Sequence, residues 1–225
     1  MKTAAVFGPR NGYGFDIDPD NFNYVIFLGN YVGETVDWQR QLDNLTKLIK
    51  LRRAYKNVVL LIGNMDYQYI DLDPRFRCTG FQAAHYAAFH ALFRDNVELF
   101  QFAFQLGNYI FSHAGISKKF LTAIRERTGG LYLNMKTFAD DFNRYAVTLD
   151  ETFYCSLFSG GCDPFDGPLW IQPEQLLNDL PNEQLFQVVG HQQRGFMANA
   201  FFQQNIVKFC NDIADNNSYF EFKFL

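Results

Sequence analysis

The sequence has few charged residues and no long hydrophobic run. Only 20% of its 225 residues are Asp, Glu, Lys or Arg, and 20 Lys and Arg against 24 Asp and Glu give a net charge of -4. Electrostatic capture of nucleic acid is disfavoured, because phosphate backbones are held mainly by clustered Lys and Arg. The apolar run at residues 58–63 is far below the ~18 residues that a membrane helix needs. We expect neither a nucleic-acid nor a membrane partner.

Cysteine is also scarce. Cys78, Cys155, Cys162 and Cys210 are scattered and form no C-x-x-C pair, so neither a disulfide scaffold nor a structural zinc site is indicated. The apolar run near the start of the sequence is interrupted at Gly8, too early for a secretory signal. We therefore expect buried free thiols and a soluble, cytoplasmic protein.

Aromatic residues, in contrast, are abundant. Hydrophobic residues make up 48% of the sequence, with 26 Phe and 12 Tyr. A globular chain of this length removes roughly 70% of its unfolded surface from water, and these residues suffice to fill such a core. Length and composition together predict one domain over residues 1–225.

Short apolar runs alternate with segments of helical spacing, and each run stops at a Gly or a polar residue. This alternation predicts an α/β sheet covered on both faces. In such sheets the ligand crevice lies beyond the carboxyl ends of the strands. The runs are Thr3–Phe7, Tyr24–Leu28, Val58–Ile62, Tyr109–Phe111 and Gln187–Val189, and the helical segments are 38–49, 81–93 and 117–124.

The last residues follow a different pattern. Phe220, Phe222 and Phe224 alternate with Glu221 and Lys223. A period of two is typical of a strand with one buried face. We expect an antiparallel strand whose three phenylalanines are buried.

Glycine-containing motifs follow the predicted strands in a fixed order. They are Gly8–Gly12, Gly29-Asn30-Tyr31-Val32-Gly33, Gly63-Asn64-Met65-Asp66, Ser112-His113-Ala114-Gly115 and Gly190-His191, with Thr79-Gly80-Phe81 and Gly167–Ile171 in support. These segments resemble the motifs of the calcineurin-like metallophosphoesterases, of the bacterial Ser/Thr-phosphatase-like branch. The resemblance implies a four-layer αββα sandwich, in the α/β class, with two divalent metals at the strand ends.

The resemblance also shows which family ligands are replaced. Pro9 and Asn11 stand where the first motif has Asp and His, and Asn30 stands for the bridging Asp. Two divalent cations ~3.5–4 Å apart repel strongly and rely on anionic ligands to stay together. We therefore expect the first metal site to be lost.

The positions that carry catalysis in the family are replaced as well. Gly33 and Glu34 stand for the second Asp and the phosphate-binding Arg, and Met65 stands for the catalytic His. A thioether has no titratable proton near neutral pH, so Met65 cannot be a general acid. Glu34 replaces a cation of the family, so its negative charge would repel an incoming phosphate.

A residual second metal site is the remaining possibility for catalysis. By the resemblance, Asn30, Asn64, His113 and His191 would hold it. Imidazoles suit Zn²⁺ or Ni²⁺ while carbonyl oxygens add little charge, so we expect either no cofactor or one weakly bound divalent ion such as Zn, Mn or Ni.

These observations favour a pseudo-phosphatase that serves as a binding or regulatory module for a protein or a small phosphate-containing ligand. One alternative is a divergent phosphoesterase that uses a single metal. A scaffold or assembly subunit with a vestigial crevice is the other.

Several charged residues have simpler roles. Arg10 is expected to point away from the site, because the positions on either side of it, Pro9 and Asn11, carry side chains in the family that point into the site. Asp37 suits a helix N-cap and Asp66 a surface or helix-start position. The segment from Tyr13 to Tyr24 is short and is interrupted by Gly14 and Pro19, so the crossover helix that the family places there is expected to be missing. Its three aspartates, Asp16, Asp18 and Asp20, fail the calcium-loop template and predict a solvated loop.

Overall fold

A computed structural model describes residues 2–34, 36–78, 80–127, 136–146, 166–181, 185–191, 199–202, 205–210 and 219–224. The chain forms two compact units, one of residues 1–101 with 212–225 and one of residues 102–211. The interpretation of residues 1–225 as a single domain stays a prediction. Cys155 and Cys162 lie outside the described residues, whereas Cys78 and Cys210 are free thiols, the first half-buried and the second buried.

The described residues contain ten strands and seven α-helices. The strands are β1 (Lys2–Phe7), β2 (Tyr24–Phe27), β3 (Val58–Leu61), β4 (Phe100–Gln101), β5 (Ala103–Leu106), β6 (Tyr109–Ser112), β7 (Phe186–Val189), β8 (Asn199–Phe202), β9 (Asn205–Phe209) and β10 (Phe220–Phe224). The helices are α1 (Trp38–Ala54), α2 (Asn64–Ile70), α3 (Tyr86–Arg94), α4 (Lys118–Arg127), α5 (Phe138–Ala146), α6 (Gly167–Trp170) and α7 (Pro173–Asn178). Among these helices, none has both the length and the apolar character needed to cross a membrane.

The first unit is built on a five-stranded sheet in the order β10-β1-β2-β3-β4. Neighbours from β1 to β4 run parallel, and β10 pairs antiparallel with β1. The central strands are almost entirely buried, as expected for parallel strands covered on both faces. The predicted antiparallel tail strand is confirmed, although its phenylalanines are half-buried rather than fully buried.

Helix α1 begins at the predicted cap. The carboxylate of Asp37 accepts the backbone N–H groups of Gln39 and Arg40 at 3.0 and 3.2 Å, which satisfies donors that have no partner within the helix. Leu45 and Leu48 lie on the buried face of the helix. The interpretation of Asp37 as an N-cap is confirmed.

The connection from β1 to β2 has no α-helix, as predicted. Residues 8–23 form a loop with one short 3-10 turn at Pro19–Asn21. Side chains of α1 bind this loop: the Asn44 amide donates to the Gly12 carbonyl at 2.8 Å and the Lys47 amine donates to the Phe15 carbonyl at 2.9 Å. The loop is therefore ordered by the following helix rather than by its own secondary structure.

The aspartates of this loop are solvated, as predicted. Asp16, Asp18 and Asp20 are exposed, and Asp18 accepts the Asp20 N–H at 3.1 Å at the start of the 3-10 turn. The side chain of Asp18 therefore caps a turn.

The second unit has a five-stranded sheet in the order β5-β6-β7-β9-β8. The three inner strands β6, β7 and β9 run parallel, and the two outer strands are antiparallel to their neighbours. A buried cluster joins β7 and β9 to the segment before and within α7. Its members are Ala114, Ile171, Leu176, Val189, Val207 and Phe209.

Candidate functional site

The motif residues lie directly after strands in both units. In the first unit, Asn30 follows β2 and Asn64 begins α2 after β3. In the second unit, His113 follows β6 and His191 follows β7. The predicted placement at strand ends is confirmed for these four residues, two in each unit.

Asp66 organises the motif segments of the first unit. Its carboxylate is fully buried and accepts four backbone N–H groups. One oxygen, Oδ2, accepts from Asn30 at 2.7 Å and Gly63 at 2.9 Å, and the other, Oδ1, accepts from Tyr31 at 2.7 Å and Val32 at 3.2 Å. The carboxylate thereby joins the loop after β2 to the start of α2. The helix-start interpretation of Asp66 is confirmed, but the surface interpretation is wrong, because these otherwise unsatisfied N–H groups are buried and need an acceptor.

The protonation of Asp66 predicts a pH dependence of stability. Burial raises the pKa of this carboxyl from 3.8 to about 7, although the four N–H donors act in the opposite direction. Between these two values the folded chain holds a proton at Asp66 that the unfolded chain has lost, so the contribution of Asp66 to the free energy of unfolding should fall as pH rises from 3.8 to about 7. The lowered pKa of His191 acts in the opposite sense, so the test is the difference in stability between the wild type and Asp66→Asn, which denaturant titrations should show falling across this range. A wild-type minus variant difference that grows with pH would contradict the prediction and mean that the donors outweigh burial.

Asn30 is held by its own backbone and by α2. Its φ of 52° lies in the left-handed region, its carbonyl accepts the Asn11 N–H at 2.6 Å, and its side-chain Oδ1 accepts the Met65 N–H at 3.0 Å. The carboxamide oxygen that a metal would use therefore already caps the first turn of α2.

Gly33 lies against the backbone of the preceding loop. A Cβ at this position would be 2.7 Å from Asn11 Cα and 2.8 Å from its carbonyl oxygen. The Gly33 N–H donates to Gln41 Oε1 at 2.9 Å, and its carbonyl accepts the Gln82 side-chain amide at 3.1 Å. Because both sides are occupied, this position has no room for a side chain.

The acidic residue after Gly33 lies on a turn rather than in a buried position. Glu34 is exposed, and a Cβ at Gly80 would be 2.9 Å from its Oε1. The absence of a side chain at Gly80, whose φ is 84°, allows Glu34 to pack there.

Arg10 is buried, and its guanidinium is engaged within the same loop. It donates to the Gly14 carbonyl and lies 5.7 Å from the centroid of the Phe7 ring. The guanidinium therefore already has partners nearby in the chain, and the expectation that Arg10 points away from the site stays a prediction.

The two histidines of the second unit lie side by side. Their ring centroids are 5.2 Å apart, and His113 is fully buried. The His113 carbonyl accepts the N–H groups of Gly190 and His191 at 2.8 and 2.7 Å, which fixes the spacing of the two motifs. The Gln187 carboxamide also bonds both the N–H and the carbonyl of Ile116, at 2.8 and 2.9 Å.

The surroundings of His191 favour the neutral form of its ring. Burial lowers its pKa to about 4, and its Nε2 lies 3.0 Å from the side-chain nitrogen of Gln172. A neutral ring with its proton on Nδ1 accepts the Gln172 N–H at Nε2. That ring nitrogen is therefore engaged by a protein donor.

The donor set of the first unit does not fit a pair of divalent metals. Pro9, Gly33 and Met65 bring no anionic oxygen, and both oxygens of Asp66 already accept backbone N–H groups. Within the described ranges, no three His, Cys, Asp or Glu side chains are grouped to hold a metal ion. Two adjacent cations need carboxylates to offset their repulsion, and none is available at these positions.

Sequence reasoning missed the residues that hold the motif segments in place. Gln41 binds the Gly33 backbone from eight residues away, whereas Gln172 and Gln187 bind His191 and Ile116 across 19 and 71 residues, and no local pattern marks these three residues. Asp66 had a signal, since an acidic residue at the third position of a helix can accept the N–H of the N-cap residue, as Asp66 does from Gly63.

The comparisons with known proteins agree on one fold. The family model for calcineurin-like phosphoesterases matches residues 14–212, so Pro9 and Asn11 precede the matched range and their assignment to the first motif stays a prediction. A search of curated proteins found no match to the sequence.

Two solved structures illustrate the likeness. The cold-active protein-tyrosine phosphatase of the psychrophile Shewanella sp. matches with a TM-score of 0.58 and 13% identity, over 98% of this chain and 75% of that chain. Another structure of a cold-active protein tyrosine phosphatase matches with a TM-score of 0.53 and 15% identity, over 93% and 70% of the two chains. At this identity the likeness shows the fold alone. That fold is a mixed α/β arrangement with two sheets flanked by helices, as the motifs predicted.

Proposed function

Because the chain belongs to the calcineurin-like phosphoesterase family, we propose that it is a member without dinuclear catalysis that works as a binding or regulatory module. The contact of Gly33 with Asn11 carries this proposal. The family's second Asp would stand at Gly33, where a Cβ would lie 2.7 Å from Asn11 Cα. The loop after β1 therefore takes the space of a catalytic side chain.

The remaining substitutions support the same proposal. Met65 offers no proton to a leaving group, and its N–H is engaged by Asn30 Oδ1. Glu34 adds a negative charge where the family has a phosphate-binding Arg. Both changes oppose the hydrolysis of a phosphate ester.

The alternative is a phosphoesterase with one metal on Asn30, Asn64, His113 and His191. The neighbouring rings of His113 and His191, 5.2 Å apart, favour it, because neutral imidazoles are good ligands for Zn²⁺. Against it, Asn30 Oδ1 and His191 Nε2 each have a hydrogen-bond partner within the protein. The scaffold role stays as a third possibility.

The ligand we propose is a protein or a small phosphate-containing molecule. The support is indirect, because it comes from the phosphatase names of the proteins that share the fold. We also propose a cytoplasmic location, because the free thiols of Cys78 and Cys210 suit a reducing compartment.

Metal content and turnover test the proposal directly. Purified chain equilibrated with manganese or zinc should retain substoichiometric metal after desalting, by elemental analysis. It should also hydrolyse para-nitrophenyl phosphate no faster than the paired His113→Ala/His191→Ala variant, because the positions that would bind two metals lack carboxylates.

Two outcomes would contradict this expectation. One tightly bound metal per chain, lost in the paired variant, would revive the mononuclear enzyme and justify a screen of phosphomonoesters and phosphodiesters. Manganese-dependent turnover abolished by His191→Gln would do the same, with circular dichroism to show that the variant is folded.

A further inference from the structure

Among the described residues, no strand pairs with the side of β10 that faces away from β1, and this outer edge has a self-complementary charge pattern. Along the strand, Glu221 and Lys223 are exposed and flank the half-buried Phe222. Their side chains form an ion pair at 3.7 Å, with 48% of the Glu221 and 58% of the Lys223 side chain exposed. In a second copy of β10 that runs antiparallel to the first, Lys223 can therefore lie opposite Glu221.

The register with β1 determines which backbone groups of β10 face outward. The Thr3 carbonyl accepts the Asn23 N–H and the Phe7 carbonyl accepts the Leu28 N–H, so the odd-numbered residues of β1 face β2. The even-numbered residues of β1 therefore face β10, where Ala4 is opposite Phe222. Hydrogen-bonded and non-hydrogen-bonded pairs alternate in an antiparallel ladder, so the N–H and carbonyl groups of Glu221 and Lys223 point away from β1.

We propose that β10 is a self-association edge, on which β10 of a second copy pairs antiparallel about a two-fold axis at Phe222. Glu221 of one copy then lies opposite Lys223 of the other, and the two residues exchange backbone hydrogen bonds. Phe222 meets its own counterpart in the non-hydrogen-bonded position, where side chains approach most closely. The five-stranded sheet of the first unit in one copy then continues into the same sheet of the second copy. This proposal does not depend on the proposed function.

The charges select this register among the possible ones. Shifting the pairing by two residues in one direction places Glu221 opposite Glu221, and in the other direction Lys223 opposite Lys223. A parallel pair in register also brings like charges together, and directly opposite like charges are destabilising. A lone lysine would protect an edge strand from pairing. Glu221 and Lys223 together instead favour pairing with a second copy of β10 in this register.

The association is expected to be weak and reversible. One five-residue strand pair buries less surface than the ~1,200–2,000 Å² of stable interfaces. We expect a dissociation constant of tens to hundreds of micromolar.

Sedimentation of a concentration series tests the edge, with charge variants as matched controls. Glu221→Lys and Lys223→Glu should each weaken self-association about tenfold, because both cross-strand pairs become like-charged. The double variant with the two charges exchanged should restore wild-type affinity, and mixing the two single variants should give a heterodimer. A wild type that stays monomeric up to millimolar concentration, or single variants that associate as the wild type does, would overturn the proposal.

Amide hydrogen exchange locates the contact. Exchange at Glu221 and Lys223 should be fast in the dilute protein and slow severalfold as concentration rises, while Phe222 should be protected throughout by its bonds to β1. Concentration-dependent protection elsewhere, with none at Glu221 and Lys223, would assign the association to another surface and refute this one.

Discussion

Replacing Asp66 by alanine is expected to lower the free energy of unfolding by about 4 kcal/mol or more, because each of the four buried N–H groups left without an acceptor costs ~1–3 kcal/mol. The donors are the backbone groups of Asn30, Tyr31, Val32 and Gly63, at 2.7–3.2 Å from the carboxylate. Urea unfolding followed by circular dichroism measures the loss.

Two matched variants show whether the loss belongs to this carboxylate. Asp66→Asn keeps one acceptor oxygen and should lose about half as much. Asp37→Ala makes the same change at an exposed N-cap and should cost about 1 kcal/mol. Equal losses for Asp66→Ala and Asp37→Ala would mean that the four bonds contribute no more than an ordinary cap.

Gly63→Ala is expected to cost about 3 kcal/mol or more, since the added methyl group overlaps rigid neighbours. The new Cβ would overlap the Asn30 backbone nitrogen and side-chain oxygen and lie 2.9 Å from Asn30 Cγ. The φ of Gly63 is -100°, so the cost comes from this contact and not from backbone strain. Thermal unfolding should show a markedly lower midpoint.

Gly14→Ala is the control for that substitution. Its nearest neighbour, Asn44 Oδ1, would be 3.4 Å from the new Cβ, an ordinary contact. Stability should change by less than about 1 kcal/mol, and a gain is possible because alanine restricts the unfolded chain. A similar loss in both variants would show that the close approach at Gly63 is relieved at little cost.

The secondary structure could be read from the sequence because its causes are local. The run Val58–Ile62 and the cap at Asp37 predicted β3 and the start of α1, both of which the structure confirms. The missing helix between β1 and β2 followed from the shortness of the segment and its interruption by Gly14 and Pro19. In each case neighbouring residues determine the conformation.

The candidate site could be predicted only in part, because its geometry depends on contacts between distant residues. The motifs located Asn30 and Asn64 at strand ends. They did not reveal that the Asn11 backbone closes on Gly33, or that Gln41 holds Gly33 from α1. Amide side chains bond donors and acceptors equally well, so their partners depend on the tertiary fold.

The discontinuity of the first unit has a consequence for synthesis on the ribosome. Residues 212–225 complete the unit that residues 1–101 begin, and β10 supplies the antiparallel neighbour of β1. Chains emerge from the amino end at ~5–20 residues per second and fold unit by unit. The whole of the second unit is therefore translated while the even-numbered backbone groups of β1 still lack their partner strand. In the nascent chain, β1 is therefore an open edge until β10 emerges and pairs with it.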